Sequence, residues 1–320
     1  MKLRLGTRNS PLAMVQSRLV ARLIEEAHSD DGLSVELVPM LSSGDKARDR
    51  PLREIGGKGL FVKELDEGLL AGRIDLAVHS LKDVPTELPE GIALASVPHR
   101  ADARDVLISK ETWTPASIPA TAVVGTSSLR RSSQLLALFG ESAGPRITLL
   151  RGNVETRLRR LAEGVVDATF LARAGLSRLA IDTAPALALD LDPFEFVPAP
   201  GQGALAIMAR SDDVETASLA SAIEDAASRM AVDAERTLAH ALGGDCNLPV
   251  GVYAEARGDS IVMVAVVVSA DGRRSVKREA RGPGDQALGL AASMATEMLE
   301  AGAAEIVAEA AVAGHEAAGR

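Results

Sequence analysis

Residues 2–41 read KLRLGTRNSPLAMVQSRLVARLIEEAHSDDGLSVELVPML, and this stretch decides the fold class. Side chains of alternating polarity over Lys2–Thr7 predict a strand. Ser10 followed by Pro11 is a favoured N-cap and first-turn pair, which predicts the start of a long helix. Ser34–Leu41 predicts the next strand, and this strand–helix–strand order indicates an α/β layer with a mostly parallel sheet.

The alternation of predicted strands and helices continues well beyond this stretch. Ile74–His79 and Ile92–Val97 predict two buried strands, and after Pro98 the alternation of short apolar runs and helical patterns begins again. A proline-rich stretch, Pro193–Pro200, predicts a linker that crosses back. The strand predicted at Ala204–Arg210 could then rejoin the first sheet.

The last third of the chain has a different pattern. Val214–Leu242 predicts one long helix, which the pair Gly243-Gly244 would end. Three β-like runs follow, and Asp271-Gly272 between the second and the third is a strong hairpin signal. A helical run over residues 285–311 closes this small α+β domain with its three-stranded antiparallel sheet. The predicted domains are residues 1–98 with 200–212 (α/β), residues 99–199 (α/β) and residues 213–320 (α+β).

The composition of the 320-residue chain narrows the possible functions. Hydrophobic residues make up 47%, enough to bury a core, whereas 44 acidic against 35 basic residues leave a net charge of −9. An acidic chain with 2% aromatic residues argues against a nucleic-acid-binding surface and against general attraction to anionic membranes. Arg4 and Arg8 lie where a signal peptide needs apolar residues, so we expect a cytoplasmic protein.

The chain has a single cysteine, Cys246, in the sequence Gly243-Gly-Asp-Cys-Asn-Leu-Pro249. One thiol forms neither an internal disulfide nor a multi-cysteine zinc site, and the five histidines are scattered, so we expect no bound metal. A lone cysteine is most often a small buried hydrophobic residue. Loops lie at the surface, however, so a thiol between glycines and a proline is also a candidate for chemistry.

Positive charge is concentrated in one part of this acidic chain. Thr126–Arg178 contains nine arginines, no lysine and four acidic residues. Arg130 and Arg131 follow a predicted strand and open a helix, where free N–H groups and the helix dipole favour an anion. Strand ends are also where α/β sheets bind ligands, and guanidinium groups grip carboxylates through paired hydrogen bonds. The segment therefore predicts a ligand with several carboxylates or phosphates, although Arg159 and Arg160 fit a solvated helix face equally well.

Asp83 follows a predicted buried strand and precedes Pro85 by two residues. Proline disfavours helical geometry in the residue before it, so we expect Asp83 in a loop at the strand end. Its carboxylate could act as an acid, a base or the counter-ion of a developing cation, or it could cap a helix or pair with Lys82. Lys58 lies in the glycine-rich stretch Gly56–Gly59, which lacks P-loop spacing, and is a further candidate anion contact.

Seven segments, taken in order, make the chain similar to the porphobilinogen deaminase family, also called hydroxymethylbilane synthases, over essentially its whole length. Any one segment is weak evidence for the resemblance, but seven segments in the same order are highly specific evidence for it. They are TRNSPLA (7–13), GGKGLFVKE (56–64), DLAVHSLKDVP (75–85), VGTSSLRR (124–131), LRGNV (150–154), PGQGA (200–204) and GGDC (243–246).

The resemblance implies an enzyme of tetrapyrrole synthesis that joins four porphobilinogen units head to tail, releases ammonia at each step and yields the linear hydroxymethylbilane. It also implies a dipyrromethane cofactor, built from the substrate and held by a thioether to Cys246. The family fold has two domains like those of periplasmic binding proteins around a cleft, and a third domain that carries the cysteine. Members are usually monomers, so we expect a monomer with a small-molecule substrate and no membrane, nucleic-acid or metal partner.

The resemblance further implies roles for individual residues. Asp83 matches the family's catalytic carboxylate, which would hold pyrrole N–H groups and offset the positive charge left when ammonia departs. The residues implied to bind the cofactor are Cys246, Lys82, Asp83, Ser127, Ser128, Arg130 and Arg131. The residues implied to bind substrate are Arg8, Ser10, Lys58, Arg151, Arg157, Arg178 and Gln202.

Two other functions remain open from the sequence. A non-catalytic binding protein for a polycarboxylate would use the same two-lobed fold and the same arginines, but it would leave Asp83 and Cys246 without a task. A thiol hydrolase would use Cys246 and His240, but nothing in the sequence identifies a third partner for them.

Overall fold

The structure is a computed structural model that describes residues 1–40, 62–140, 142–243 and 248–318. The strands in these ranges are β1 (Lys2–Arg8), β2 (Ser34–Met40), β3 (Leu76–Ser80), β4 (Ile92–Ser96), β5 (Asp105–Ser109), β6 (Val123–Gly125), β7 (Arg146–Thr148), β8 (Ala168–Ala172), β9 (Leu187–Asp190), β10 (Leu205–Arg210), β11 (Val250–Arg257), β12 (Ser260–Val268) and β13 (Ser275–Pro283). The α-helices are α1 (Pro11–Ala27), α2 (Lys63–Leu70), α3 (Leu129–Ala137), α4 (Val154–Ala162), α5 (Arg173–Arg178), α6 (Val214–Ser221), α7 (Ala226–Ala241), α8 (Ala287–Met298) and α9 (Ala304–Ala318).

The first sheet has the strand order β2-β1-β3-β10-β4. β1 runs parallel to β2 and β3, whereas β10 runs antiparallel to β3 and β4. The prediction that β10 rejoins this sheet is confirmed. The other four strands share one direction, as predicted for a mostly parallel sheet, and β10 runs opposite to them. The two faces bury separate aliphatic cores, with Val20 and Ile24 of α1 on one side and Leu65 and Leu69 of α2 on the other.

The second sheet repeats this arrangement with the order β7-β6-β8-β5-β9. β6 runs parallel to β7 and β8, and β5 runs antiparallel to β8 and β9. Phe170 and Phe196 stack in its core with their ring centroids 5.0 Å apart. The sequence analysis did not predict β9, a four-residue edge strand on which Leu187 and Leu189 are exposed.

The third sheet is antiparallel, with the order β11-β12-β13. Helices α7 and α8 cover it and bury Leu238 and Met294 against Val252 and Met263. Two α/β units and one small α+β unit confirm the predicted fold class. The domain limits given above remain a proposal.

The two long helices predicted in this last third are both interrupted. Within Val214–Leu242, Asp225 accepts a hydrogen bond from the amide of Ser228 at 2.8 Å and so caps a new helix, α7. Between α8 and α9, Gly302 has a φ of +100°, which breaks the helical geometry in the turn Leu299–Ala303. Polar caps and a single glycine therefore override the continuous helical pattern.

The segments that cross between the two α/β units are bound to the third unit through a buried ion pair. Arg100 Nη1 lies 2.7 Å from Glu235 Oε1 on α7, and Glu235 is fully buried. Glu235 also accepts hydrogen bonds from the amide of Gly201 at 2.6 Å and from the amide of Ala254 at 2.8 Å. Gly203 has a φ of +87°, and a Cβ there would lie 2.4 Å from the carbonyl oxygen of Ala101. These contacts fix the crossing segment that carries Gln202.

Candidate active site

Asp83 lies directly after β3, as predicted, but in a single turn of 3₁₀ helix, Leu81–Asp83, rather than in an open loop. Leu81 is buried and anchors the turn, whereas Asp83 is exposed. The Asp83 carboxylate forms no ion pair or hydrogen bond with Lys82 or with any other residue that the structure describes. It is therefore available to a ligand.

A cavity of about 60 Å³ lies beside Asp83. Its lining includes Arg8, Ser10, Gln16, His79, Ser80 and Asp83. Ser10 caps α1 by accepting a hydrogen bond from the amide of Ala13 at 3.3 Å, so Arg8 and Ser10 lie where β1 leads into that helix. The cavity brings together three residues that were predicted separately: Arg8, Ser10 and Asp83.

The cavity also includes residues that sequence reasoning did not single out. Gln16 donates a hydrogen bond from Nε2 to Ser80 Oγ at 2.9 Å, which joins α1 to the end of β3. Burial, and then the charge of Arg8, lower the pKa of His79 to about 4, so its imidazole is neutral near pH 7. His79 and Ser80 fall within the motif of residues 75–85, which was the one available signal for them.

Arg130 and Arg131, on the first turn of α3, are almost fully buried, with 4% and 6% of their surfaces exposed. Both pair with Asp105 at the start of β5. Arg130 Nη1 lies 2.7 Å from Asp105 Oδ2, and Arg131 Nη2 lies 2.7 Å from Asp105 Oδ1. Although burial alone would raise the pKa of Asp105, the two guanidinium groups hold it below its ordinary value. The predicted cofactor contacts therefore share a buried carboxylate.

Lys82 is joined to this cluster through Gln202. Lys82 Nζ donates to Gln202 Oε1 at 3.2 Å, and Gln202 Nε2 donates to Asp105 Oδ1 at 2.9 Å. Burial, and then the charge of Arg131, lower the pKa of Lys82 to about 8. Gln202 is fully buried, and its amide already contacts three protein groups. Its predicted contact with substrate stays a prediction, and the geometry favours a role in holding Lys82.

Three further predicted arginines lie at the same edge of the second sheet. Arg157 donates to the Gly152 carbonyl oxygen at 3.0 Å and to Ser127 Oγ at 3.4 Å, and burial lowers its pKa to about 10. Arg178 donates to the carbonyl oxygen of Gly203 at 2.7 Å, and burial lowers its pKa to about 10 as well. The buried Nε atoms of Arg151 and Arg178 hydrogen-bond to none of the described residues. Buried donors of this kind suit an anionic ligand.

The other residues singled out from the sequence include helix caps, exposed arginines and two residues outside the described ranges. Ser128 caps α3 by accepting a hydrogen bond from the amide of Arg131 at 3.4 Å, and Ser127 beside it is exposed. Lys58 and Cys246 lie outside the described residues. Arg159 and Arg160 are exposed and lie 3.7 Å and 3.4 Å from Glu163, which fits the solvated helix face.

His240, the candidate partner of Cys246 in a hydrolase, lies in the last turn of α7. Its ring lies 3.9 Å from Glu87 and 3.5 Å from Thr86 Oγ1. No group of three or more metal-ligating side chains converges within residues 1–40, 62–140, 142–243 and 248–318. Within the same ranges, no helix is long and apolar enough to cross a membrane.

Comparison with known proteins identifies the family. The family model described as "Porphobilinogen deaminase, dipyromethane cofactor binding domain" matches residues 3–218, which include both five-stranded sheets. The model described as "Porphobilinogen deaminase, C-terminal domain" matches residues 230–300, which include the three-stranded sheet. The chain belongs to the porphobilinogen deaminase family.

Two porphobilinogen deaminases are similar to this protein over nearly the whole chain. The protein from Roseiflexus sp. (strain RS-1) is 44% identical over 306 residues, which cover 95% of this chain and 98% of the relative. The protein from Acidithiobacillus ferrooxidans (strain ATCC 53993 / BNL-5-31) is 45% identical over 305 residues, which cover 95% of this chain and 97% of the relative.

Solved structures that match part of this chain include two whose names describe solute binding. The periplasmic sulfonate-binding protein SsuA from Methylobacillus flagellatus KT is 14% identical with a TM-score of 0.40, over 75% of this chain and 67% of that chain. The L-cystine solute receptor of Neisseria gonorrhoeae is 15% identical with a TM-score of 0.38, over 69% of this chain and 85% of that chain.

Proposed function

We propose that the chain is a hydroxymethylbilane synthase, a transferase that condenses four porphobilinogen molecules head to tail, releases ammonia and yields the linear hydroxymethylbilane. One observation carries the proposal: Asp83, an exposed carboxylate that pairs with none of the described residues, follows directly on Lys82, whose ammonium group shares a hydrogen-bond network with Arg130 and Arg131. Porphobilinogen has an acetate, a propionate, a pyrrole N–H and an aminomethyl group. The site offers cations to the carboxylates of porphobilinogen. It also offers an anion to the pyrrole N–H of porphobilinogen and to the positive charge that develops there during the reaction.

The residues present fit the dipyrromethane group named for the domain at residues 3–218. This group carries several carboxylates. The buried Nε atoms of Arg151 and Arg178, which hydrogen-bond to no residue in the described ranges, suit such anionic ligands. When bound, the group supplies the pyrrole end to which each new unit is joined. The residues proposed to hold it are Cys246 through a thioether, together with Lys82, Asp83, Ser127, Ser128, Arg130 and Arg131.

Binding of the substrate carboxylates is assigned to cations on both sides of the cleft. Arg8 lies with Ser10 in the cavity beside Asp83, where the N-terminus of α1 adds a favourable dipole. Burial, and then the charge of nearby Arg131, lower the pKa of Arg157 to about 10. Arg157 therefore stays protonated near pH 7 and can bind a carboxylate. The other cations assigned to this task are Lys58, Arg151 and Arg178. Gln202 is assigned to holding Lys82, because both N–H groups of its amide already donate to Ala103 and Asp105.

Asp83 is assigned the chemical step. Loss of ammonia from the aminomethyl group leaves a positive charge that is delocalised onto the pyrrole nitrogen. A carboxylate that accepts the pyrrole N–H bond stabilises this cation more than it stabilises the neutral substrate, which is the requirement for catalysis. A preorganised electrostatic partner of this kind typically contributes ~3–4 kcal/mol to stabilising a transition state.

The test is to incubate the purified chain with porphobilinogen and to measure ammonia and hydroxymethylbilane together. We expect about four molecules of ammonia for each bilane, from the stoichiometry of the condensation. Binding of porphobilinogen without ammonia release would instead support a non-catalytic polycarboxylate-binding protein. A thiol hydrolase would be inactivated by alkylation of Cys246 and would not depend on Asp83.

We propose that the enzyme acts as a monomer in the cytoplasm, on a small-molecule substrate and without a metal. The acidic net charge of −9 supports the absence of a nucleic-acid partner. Sedimentation of the purified chain and metal analysis of active enzyme test the first and the last of these points.

A further inference from the structure

Asp105 is the first residue of β5, and no sequence pattern pointed to it. It is fully buried, and it accepts hydrogen bonds from Arg130 Nη1 at 2.7 Å, from Arg131 Nε and Nη2 at 3.1 and 2.7 Å, and from Gln202 Nε2 at 2.9 Å. A buried carboxylate is tolerated only with such partners, so its surroundings are built around its charge.

These bonds use only some of the donors of each guanidinium group. Arg130 uses Nη1 for Asp105 and for the carbonyl oxygen of Val197 at 2.7 Å, and Arg131 uses Nη1 for the carbonyl oxygen of Phe170 at 3.0 Å. A guanidinium group has five N–H donors. At least two donors of each arginine therefore form no hydrogen bond with a residue that the structure describes. The protein fixes the orientation of each group and leaves donors for a ligand.

Gln202 links Asp105 to Lys82 and so also holds the lysine in place. Its Nε2 donates to Asp105 and to the carbonyl oxygen of Ala103 at 2.8 Å, so its Oε1 must face the opposite way, where Lys82 Nζ donates to it at 3.2 Å. Because a carboxylate only accepts hydrogen bonds, Asp105 determines which end of the amide faces the lysine. The link crosses from the second sheet to the turn after β3 in the first.

We propose that Asp105 is a positioning residue that orients the guanidinium groups of Arg130 and Arg131 and, through Gln202, the ammonium group of Lys82, so that the cleft presents a preformed set of cations to carboxylates. The inference rests on the proposed function. Three neighbouring cations repel one another, and one central carboxylate offsets that repulsion before any ligand arrives. Such preorganisation lowers the cost of binding, because the cations need not be gathered at that moment.

The first test is Asp105→Asn, which keeps the shape of the side chain but replaces its charge and turns an amide donor towards the arginines. We expect the KM for porphobilinogen to rise ~10–100-fold, the scale of losing hydrogen bonds to a charged group, with a smaller change in kcat. Fewer purified molecules should carry the mass excess of two linked pyrroles. Asp105→Glu keeps the charge and should recover part of the KM.

The matched control is Asp190→Asn. Asp190 on β9 pairs with Arg173, beside the same strand β5, but it contacts neither Lys82 nor its partners. We expect this variant to keep the KM and the mass excess of the wild type. A folded Asp105→Asn variant with the KM and mass excess of the wild type would overturn the inference.

A second variant keeps the inference testable if Asp105→Asn does not fold. Gln202→Met leaves the ion pairs of Asp105 intact but removes its link to Lys82. Charged groups near Lys82 are Arg130, Arg131, Asp83 and Asp105. We expect the KM to rise at a lower pH than in the wild type, and an unchanged pH profile would contradict the inference. Wild-type protein that releases no ammonia would instead refute the proposed function, so the two failures are distinguishable.

Discussion

The two five-stranded sheets have the same strand arrangement, but they supply different groups at equivalent edges. After β1 the chain passes Arg8 and Ser10 into α1, and after the equivalent strand β6 it passes Ser128 into α3, with a serine N-cap in both cases. After β3 it presents Lys82 and the exposed Asp83, whereas after the equivalent strand β8 it enters α5 directly. The two units therefore share a strand arrangement but present different side chains at the ends of their strands.

The difference lies in how charge is held. In the first unit the carboxylate proposed to act in the reaction, Asp83, is exposed and pairs with none of the described residues. In the second unit the carboxylate, Asp105, is fully buried and bound to Arg130 and Arg131. We infer that the first unit supplies the group that acts on the developing cation and that the second supplies the cations that hold carboxylates.

The largest effect is expected in the core of the second unit, which supports those cations. Phe170 is fully buried, stacks on Phe196, and its carbonyl oxygen accepts a hydrogen bond from Arg131. Phe170→Ala should lower the free energy of unfolding by ~3–5 kcal/mol, because it leaves a large cavity. Urea unfolding followed by circular dichroism measures this. Phe170→Leu, the control, should lose much less, and equal losses would contradict the packing argument.

Asp83→Asn should give the next largest effect. The neutral amide cannot offset a positive charge, so kcat should fall ~10²–10³-fold while KM and thermal stability change little. Steady-state bilane formation and thermal unfolding check both parts. Asp212→Asn, an exposed carboxylate that follows β10 in the same unit, should behave like the wild type. Near wild-type turnover in Asp83→Asn would refute the assigned role.

Arg157 and Arg159 lie two residues apart on α4 and provide a matched pair in the second unit. Arg157 faces Ser127, whereas Arg159 is exposed beside Glu163. Arg157→Met should raise the KM roughly tenfold by removing one charge-assisted contact, about 1.4 kcal/mol. Arg159→Met should leave the KM unchanged. Equal effects in the two variants would mean that the whole helix face, rather than its buried edge, binds substrate.

The smallest expected effect is a pH dependence through Lys82. Burial, and then Arg131, lower its pKa to about 8, so its positive charge is lost as the pH rises through that value. The KM should therefore increase above about pH 8 by less than tenfold, since the arginines keep their charge. Lys82→Arg should remove the rise, and the same rise in that variant would assign it to another group.

The same shift has a consequence for stability. An unfolded lysine keeps its proton up to its ordinary pKa of 10.5, whereas the folded protein releases it near 8. The unfolded state then binds more protons between these values, so this group makes the protein more stable as the pH rises through that window. Lys82→Met should flatten the rise in thermal unfolding temperature between pH 8 and 10.5, and an unaltered slope would contradict the shift.

Local patterns in the sequence predict much of this fold and site. Period-two and helical patterns identify most strands, and the serine N-caps place Ser10 and Ser128 correctly at helix starts. The segment that holds Arg130 and Arg131 is also recognisable from its local charge. These features depend on residues within a few positions of one another, which the sequence displays directly.

The rest depends on contacts between distant residues. Asp105 and Gln202 are 97 positions apart in the chain, and Gln16 and Ser80 are 64 apart, so no local pattern reveals either hydrogen bond. The edge strand β9 is held by backbone pairing with β5, and its Leu187 and Leu189 are exposed, so burial does not mark it as a strand. Burial of Arg130 was also unexpected, because its buried partner, Asp105, lies on β5, 25 positions earlier in the chain.

The measurement that tests the central claim most directly is the intact mass of the purified protein. The claim is that a thioether-linked pair of pyrroles is held by the cations of the second unit, close to Asp83. The account predicts that the natively expressed wild type exceeds its sequence mass by two linked pyrroles, and that Cys246→Ser carries no excess. A wild-type mass equal to that of the unmodified chain would contradict it.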